Sequence, residues 1–227
     1  MRLRFIECSS GPAERFAFDE VAMSYAGRTG NGIVVLYRMA RNAISLGRLQ
    51  SYPEMKMSEI DQPFDVVRRP SSGSSVVHND LGGDFSYTVA MPLSEIPQGS
   101  GNLSMDKVFR RTYYCEPLQS ALGSLGIQTA ILGYNYVVIG EGRDRRIISS
   151  NAFAENREVY GARMVHGYVN CNGQGKPLWD KILGSGSQKL AFASEFGVEP
   201  PEVYRALVGT CSDLGDLEKR DFSEEEI

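Results

Sequence analysis

Residues 68–86 read RRPSSGSSVVHNDLGGDFS. Arg68 and Arg69 place two fixed forks of donors beside a run of small hydroxyl and glycine residues, Ser71 to Ser75. Guanidiniums pair with carboxylate and phosphate oxygens, and small residues let backbone N–H groups come close to an anion. The loop suits an anionic ligand, and the alternating residues after it return the chain to a sheet.

A chain of 227 residues can form one large α/β domain or two small ones. Its 42% hydrophobic and 23% charged content is that of an ordinary globular protein. The net charge of -4 opposes a nucleic-acid-coating surface, which needs a concentrated cationic face. The arginine clusters must therefore serve something small. No run of about twenty apolar residues occurs, and the opening MRLRFIECSS lacks the apolar core of a signal peptide, so no membrane contact and a cytoplasmic location are expected. Cys8, Cys115, Cys171 and Cys211 are widely spaced without a CxxC pair, which predicts reduced thiols and neither a disulfide framework nor a metal site.

Apolar periodicity predicts a first helix over Ala13 to Tyr25. GIVVLYR (32–38) and AISLGRLQ (43–50) read as adjacent antiparallel strands; DVVRR and SSVVHND flank the small-residue loop, and DFSYTVAMP continues the meander. Ser104 is a candidate N-cap for one long helix through Leu125, stopped by Gly126. Strands fit AILGYN, YVVIG and ARMVHGYVN, and helices fit KPLWDKIL and PPEVYRALVG, with Pro200 or Pro201 in the first turn. The acidic DLEKRDFSEEEI is expected to fray. GSGSQ (184–188) is too short to separate domains, so residues 1–227 read as one domain with no C-terminal accessory domain. There is no GxSxG elbow, Walker loop or HExxH, and GEGR (140–143) does not complete a dinucleotide fingerprint.

Several segments, in order, resemble one family. RRPSSGSSVVHNDLGG is similar to the RRxSGGGAVxHDxGN motif of lipoate-protein ligases, and SLGRLQ (45–50) to the strand before it. GYNYVVIGEGRDRRIISSNAFAENR (133–157) resembles the family's Asn-Asp pair, glycine turn and RKxSGSAxRR, and MVHGYV (164–169) its HGxLL strand. The resemblance implies an α/β fold of the α+β type: a mixed, largely antiparallel sheet flanked by helices, the biotin/lipoate protein ligase catalytic-domain fold. It implies attachment of lipoate or octanoate to a lysine of a lipoyl-domain or H-protein-like acceptor through an acyl-adenylate, with ATP and Mg2+. It also implies that a small accessory subunit can take part.

Carried over by position, Arg69 would touch the nucleotide phosphates, and the backbone of Ser74, Ser75, Val76 and Val77 would line the adenylate. Asn135 would help hold phosphate or magnesium. Arg68, Ser72, Gly73, His78, Ser149 and His166 would border the acyl chain. The sequence also departs from the family. Matching SSNA (149–152) to SGSA puts Ile147 where the ligases carry a lysine; matching DRR puts Arg146 there, which makes Arg146 the expected catalytic cation. Serines stand for two loop glycines, and Tyr136 for the acid after Asn135. Two alternatives stay open. One is a cysteine-dependent octanoyl or lipoyl transferase, with Cys171 or Cys211 as nucleophile and Cys211 at a helix start that would depress its pKa. The other is a relative that binds ligand without turnover.

Overall fold

A computed structural model describes residues 2–39, 42–51, 64–73, 75–78, 85–95, 105–173, 176–177, 180, 189–214 and 216–219. In chain order these form β1 (Arg2–Ser10), α1 (Pro12–Thr29), β2 (Gly32–Met39), β3 (Ala43–Leu46), β4 (Asp65–Arg68), β5 (Val76–His78) and β6 (Phe85–Pro92). There follow α2 (Met105–Arg110), a π-helical turn (Arg111–Cys115), α3 (Glu116–Ser124), β7 (Ala130–Leu132), β8 (Tyr136–Ile139), β9 (Arg146–Asn156), β10 (Ala162–Val169), α4 (Pro200–Cys211) and β11 (Asp216–Lys219).

Eight strands build one mixed sheet in the order β11-β1-β2-β6-β10-β9-β8-β7, and a second, small sheet runs β4-β3-β5. β1 is parallel to β2 and β11, while β2, β6, β10, β9, β8 and β7 pair antiparallel in turn. The antiparallel majority and flanking helices agree with the fold expected from the sequence.

Strand periodicity assigns the two faces. Val34 and Leu36 of β2 join Phe109 of α2, Leu118 of α3 and Leu207 of α4 in the larger core, whereas Ile33, Val35 and Tyr37 face Ala22, Met23 and Ala26 of α1. Each such fully buried aliphatic side chain contributes about 1.5–3 kcal/mol. Helix α1 starts with Pro12 after Gly11, whose N–H donates to Glu14 Oε2 at 2.7 Å, and ends at Gly30 with φ 70°. Its sheet-facing stripe includes Arg15 and Asp19, both fully buried.

The structure departs from the sequence expectations in several places. The strands at 32–38 and 43–50 are not neighbours: both edges of β2 are taken by β1 and β6, so β3 pairs with β4 and β5 in the small sheet instead. The expected long helix is present as a continuous helical run from Met105 to Ser124 that carries a π turn, where the Glu116 N–H bonds to the Arg111 carbonyl. Residues 216–219 of the tail form a strand on β1. Neither Arg2–Ser10, central to the parallel part of the sheet, nor Arg146–Asn156, which pairs with β8 and β10, was anticipated as a strand. Most of the helix expected at 176–183, and Ser104, the expected cap of the helix that runs toward Leu125, lie outside the described residues. No helix among the described residues is long and apolar enough to cross a membrane.

Candidate active site

A cavity of about 160 Å³ lies between the small sheet and the paired strands β8, β9 and β10. Ser45, Arg69, Ser72, Gly73, Ser75, Val76 and His78 form its small-sheet wall. Asn135, Tyr136, Ser150, Asn151, Ala152, His166, Gly167 and Tyr168 form the wall from the large sheet, and Arg110 reaches in from α2. Arg69 and Arg110 are the only charged side chains lining it among the described residues.

The small-sheet wall is shaped by Arg69. Its Nη1 donates to the Ser45 carbonyl at 3.0 Å and to Ser45 Oγ at 3.2 Å, and its Nη2 donates to the Ser72 carbonyl at 3.0 Å. Gly73 has φ 105°, and a Cβ there would meet Arg69 Nη2 at 2.9 Å. A Cβ at Gly47 would stand 1.8 Å from the Gly73 carbonyl oxygen, so that glycine is what lets the loop lie against the end of β3. Gln50 Nε2 donates to Ser75 Oγ at 2.6 Å on the far side.

Beneath this wall runs a buried polar chain. Arg15 donates through Nη1 to His78 Nδ1 at 3.3 Å and through Nη2 to His166 Nε2 at 2.9 Å. A guanidinium has no lone pair to offer, so both receiving nitrogens are unprotonated. His166 therefore carries its hydrogen on Nδ1, 2.9 Å from Thr88 Oγ1 and 3.3 Å from Asp19 Oδ2. His78 carries its hydrogen on Nε2 and donates to Ser45 Oγ at 2.9 Å. Thr88 and Tyr37 donate to Asp19 Oδ1 at 2.6 and 3.0 Å. The chain thus links Asp19, His166, Arg15, His78, Ser45 and Arg69.

Burial, reinforced by Arg15, His166 and Arg69, holds His78 well below the usual histidine range. Burial likewise lowers His166, against the pull of Asp19. Burial acts to raise Asp19, but His166, the Thr88 hydrogen bond and Arg15 outweigh it and keep the carboxylate ionised. Burial lowers Arg15 and Arg69 to about 10, which leaves both charged at neutral pH. Neutral His78 therefore stands between the buried cations Arg15 and Arg69, and neutral His166 between Arg15 and Asp19. Each has both ring nitrogens engaged by protein, so neither supplies a base and both offer the cavity mainly C–H surface.

The opposite wall is held by aromatic and amide contacts. Tyr114 from the π turn stacks on Tyr87 at 4.2 Å, and its hydroxyl lies 2.9 Å from Ser149 Oγ. A Cβ at Gly167 would stand 2.1 Å from that hydroxyl, which accounts for glycine after His166. Arg110 donates from Nε to Asn151 Oδ1 at 2.7 Å and from Nη2 to the Asn151 carbonyl at 2.9 Å. Asn151 is itself fixed by Nδ2 contacts to the Tyr134 carbonyl at 3.1 Å and Cys115 Sγ at 3.3 Å.

The structure brings Arg69, Ser72, Gly73, Ser75, Val76, His78, Asn135 and His166 of the expected site together around the cavity. It places others elsewhere. Arg68 turns to the carbonyls of Gly47, Arg48 and Gln50 at 2.9, 3.2 and 2.7 Å. Val77 packs against Ile44 and Leu46. Ser149 is engaged by Tyr114. Arg146 pairs with Glu195 outside the cavity, and Ile147 joins the apolar cluster of Ile44, Val77 and Phe192. The expected stand-in cation is thus not at the site. Ser74 lies outside the described residues. Cys211 is the last residue of α4 and not at a helix start; it is fully buried, and burial pushes its thiol up to about 12. Cys171 is fully buried in the larger core.

Arg110, Asn151 and Gly167 line the cavity, and Arg15 and Asp19 lie beneath its floor, without having been singled out in the sequence. Only the glycine after His166 carried a visible signal. The fit to the implied small molecules is uneven. Gly73 and the small loop residues leave backbone within reach of an anion, and Asn135 Oδ1 is a buried oxygen with no partner, as a nucleotide donor would require. For magnesium the described residues do not fit a protein-held site: no carboxylate lines the cavity, and no group of metal-ligating side chains gathers among them.

The lipoyl protein ligase A/B catalytic-domain model matches residues 11–200. Among solved structures, lipoate-protein ligase A bound with ATP is 19% identical with a TM-score of 0.78, covering 100% of this chain and 91% of that one. A bi-partite lipoate protein ligase of Thermoplasma acidophilum, studied with its E2 lipoyl domain, is 20% identical with a TM-score of 0.74, covering 100% and 89%. P. falciparum LipL1 in complex with lipoate is 14% identical with a TM-score of 0.72, covering 94% and 60%. These likenesses establish the fold.

Proposed function

Because the chain belongs to the lipoyl protein ligase A/B catalytic-domain family, we propose that it binds lipoate or octanoate and ATP and attaches the acyl group to a lysine of a lipoyl domain through an acyl-adenylate. One observation carries this reading. Arg69 and Arg110 stand in the walls of one cavity and Arg15 lies beneath its floor. Guanidiniums gathered in this way suit a carboxylate and a phosphate held side by side.

Each residue then has a physical part. The Ser72–Gly73 backbone and Arg69 would flank the phosphate, and Asn135 Oδ1 would accept from the nucleotide. His166, Gly167 and Tyr168 would border the acyl chain, with the imidazoles kept uncharged by Arg15. ATP supplies the activated leaving group; the protein contributes orientation and charge. The volume of about 160 Å³ matches the reacting ends of the substrates and not a whole nucleotide with its acyl chain. Any Mg2+ would arrive on the phosphates. The bi-partite organisation of the T. acidophilum protein supports a separate accessory subunit here, and a cytoplasmic setting would supply both ATP and acceptor.

Ile147 favours a second reading, binding without turnover, since it puts an apolar side chain at the family's lysine position. Incubation with ATP, lipoate or octanoate, and a purified lipoyl domain separates the two by intact mass. An ATP-dependent mass gain on the acceptor supports ligation. Thermal stabilisation by the acid with no product supports binding alone. A thioester on this chain without ATP would overturn both.

A further inference from the structure

We propose that Phe16 of α1 is the stop that limits the length of the acyl chain this cavity takes, by separating the cavity from a larger groove behind its floor. The proposal rests on the carboxylic-acid substrate argued above and adds a chain length to it. Phe16 is 4% exposed and lines a groove of about 330 Å³ between α1 and β4, beside Val67 and Pro70. The same ring meets the two imidazoles of the cavity floor, its centre 6.1 Å from that of His78 and 5.6 Å from that of His166. One aromatic ring therefore stands between the two spaces.

Arg15 braces that ring. Its guanidinium carbon lies 4.6 Å from the Phe16 ring centre and 5.2 Å from that of Tyr37, and the same guanidinium holds both imidazoles by hydrogen bonds. The direction of a bound acid follows from chemistry. Its carboxyl has to meet the nucleotide phosphate, and the small residues that let an anion approach the backbone, Ser72 and Gly73, stand in the wall. The tail is left to face the floor, where imidazoles with both nitrogens engaged present C–H surface. At about 160 Å³ the cavity is smaller than the roughly 300–1,000 Å³ that encloses a whole small ligand. The room a longer tail needs exists on the page of the fold only beyond Phe16, in the groove.

The test is calorimetric titration of the full chain with butanoate, hexanoate, octanoate and decanoate. In the unaltered protein affinity should rise about 4-fold for each added methylene while the tail is being buried, and should stop rising no later than octanoate. F16A, which joins the cavity to the groove, should carry the rise on, so that decanoate binds about 10-fold more tightly than octanoate. The readout is the ratio of those two affinities, which a general loss of stability leaves unchanged. F16L, a smaller opening, stands in if F16A no longer melts cooperatively, and should give part of that gain. Affinity that still climbs from octanoate to decanoate in the unaltered protein would overturn the proposal, as would a variant whose series stops where the unaltered one does. If the unaltered protein binds none of the four acids, the substrate reading itself fails, and this is seen before any variant is measured.

Discussion

Arg15 Nη2 lies 2.9 Å from His166 Nε2, and because a guanidinium only donates, this contact fixes which imidazole nitrogen carries the hydrogen. The same guanidinium imposes the complementary tautomer on His78. Both histidines are thereby held neutral in the fold, with a measurable consequence for stability. In the unfolded chain each takes up a proton near pH 6.5, whereas in the fold both values are lower. Below that pH the unfolded state binds more protons, so stability should be full above pH 6.5 and fall as pH drops, by at most about 1.4 kcal/mol per pH unit for each histidine. Urea unfolding at several pH values checks this; a flat profile between pH 7 and 5.5 would contradict it. Asp19, depressed in the fold, adds a separate loss only below its unfolded value of 3.8.

Replacing Arg15 by methionine removes the donor to two buried imidazoles and the cation nearest their carboxylate. The unsatisfied nitrogens and the less compensated Asp19 should cost about 2–5 kcal/mol. Guanidinium denaturation gives the value. A loss under about 1 kcal/mol would show that the chain from Asp19 to Ser45 is not a stabilising unit.

Gly167→Ala sets a methyl group against the Tyr114 hydroxyl and, at 2.5 Å, the Ser150 carbonyl oxygen. The second is backbone and cannot turn aside. A loss of about 1–3 kcal/mol is expected, with weaker acid binding as the Tyr114–Ser149 contact shifts. An unchanged denaturation midpoint would mean that β9 and β10 tolerate more separation than their pairing suggests.

Gly47→Ala is aimed at the other wall. The added carbon falls 1.8 Å from the Gly73 carbonyl oxygen, so the loop bearing Ser72 must move away from Arg69. Ligand-induced thermal stabilisation should fall by more than the melting temperature of the free protein, because the small sheet remains paired. Equal losses in the two measurements would argue that the loop is part of the global fold.

Burial raises the thiols of Cys8, Cys115 and Cys211 to about 12, and Cys171 is fully buried. Iodoacetamide at pH 8 should therefore leave Cys115, Cys171 and Cys211 unmodified in the native protein and label all of them after denaturation. Rapid native labelling of Cys171 or Cys211 would revive a thioester route.

Whereas β9 (Arg146–Asn156), only partly buried along most of its length, was not read as a strand, β8 and β10 and the loop after Arg69 were legible because glycines, small residues and apolar alternation are local signals. The partition of β2 and β3 into different sheets was not, since GIVVLYR and AISLGRLQ look equally able to pair across a short turn. What separates them is that both edges of β2 are already taken by β1 and β6, a tertiary fact. Arg15 and Asp19 were unreadable for a related reason. Charged residues near a helix start normally face solvent or favour the dipole, and only partners 63 and 151 residues away in the chain make burial of Arg15 tolerable. Arg110 likewise reads as a routine helix cation until Asn151 is brought beside it. The positional match that offered Arg146 depended on sequence order, while β9 alternation and Glu195 decide where that side chain goes.

The π turn between Arg110 and Glu116 sets the phase of the helical segment. It adds close to one residue to a turn, so α2 is rotated by about 100° from where an unbroken α-helix ending in α3 would put it. That offset lets Phe109, Tyr114, Leu118 and Leu122 all reach the larger core while Arg110 looks out toward β9. Shortening residues 111–115 by one would give a better helix by hydrogen-bond count and a worse protein, because either the cation or the apolar stripe would swing out of place. Here an irregularity in the backbone, and not a choice of side chain, decides which way a charge points.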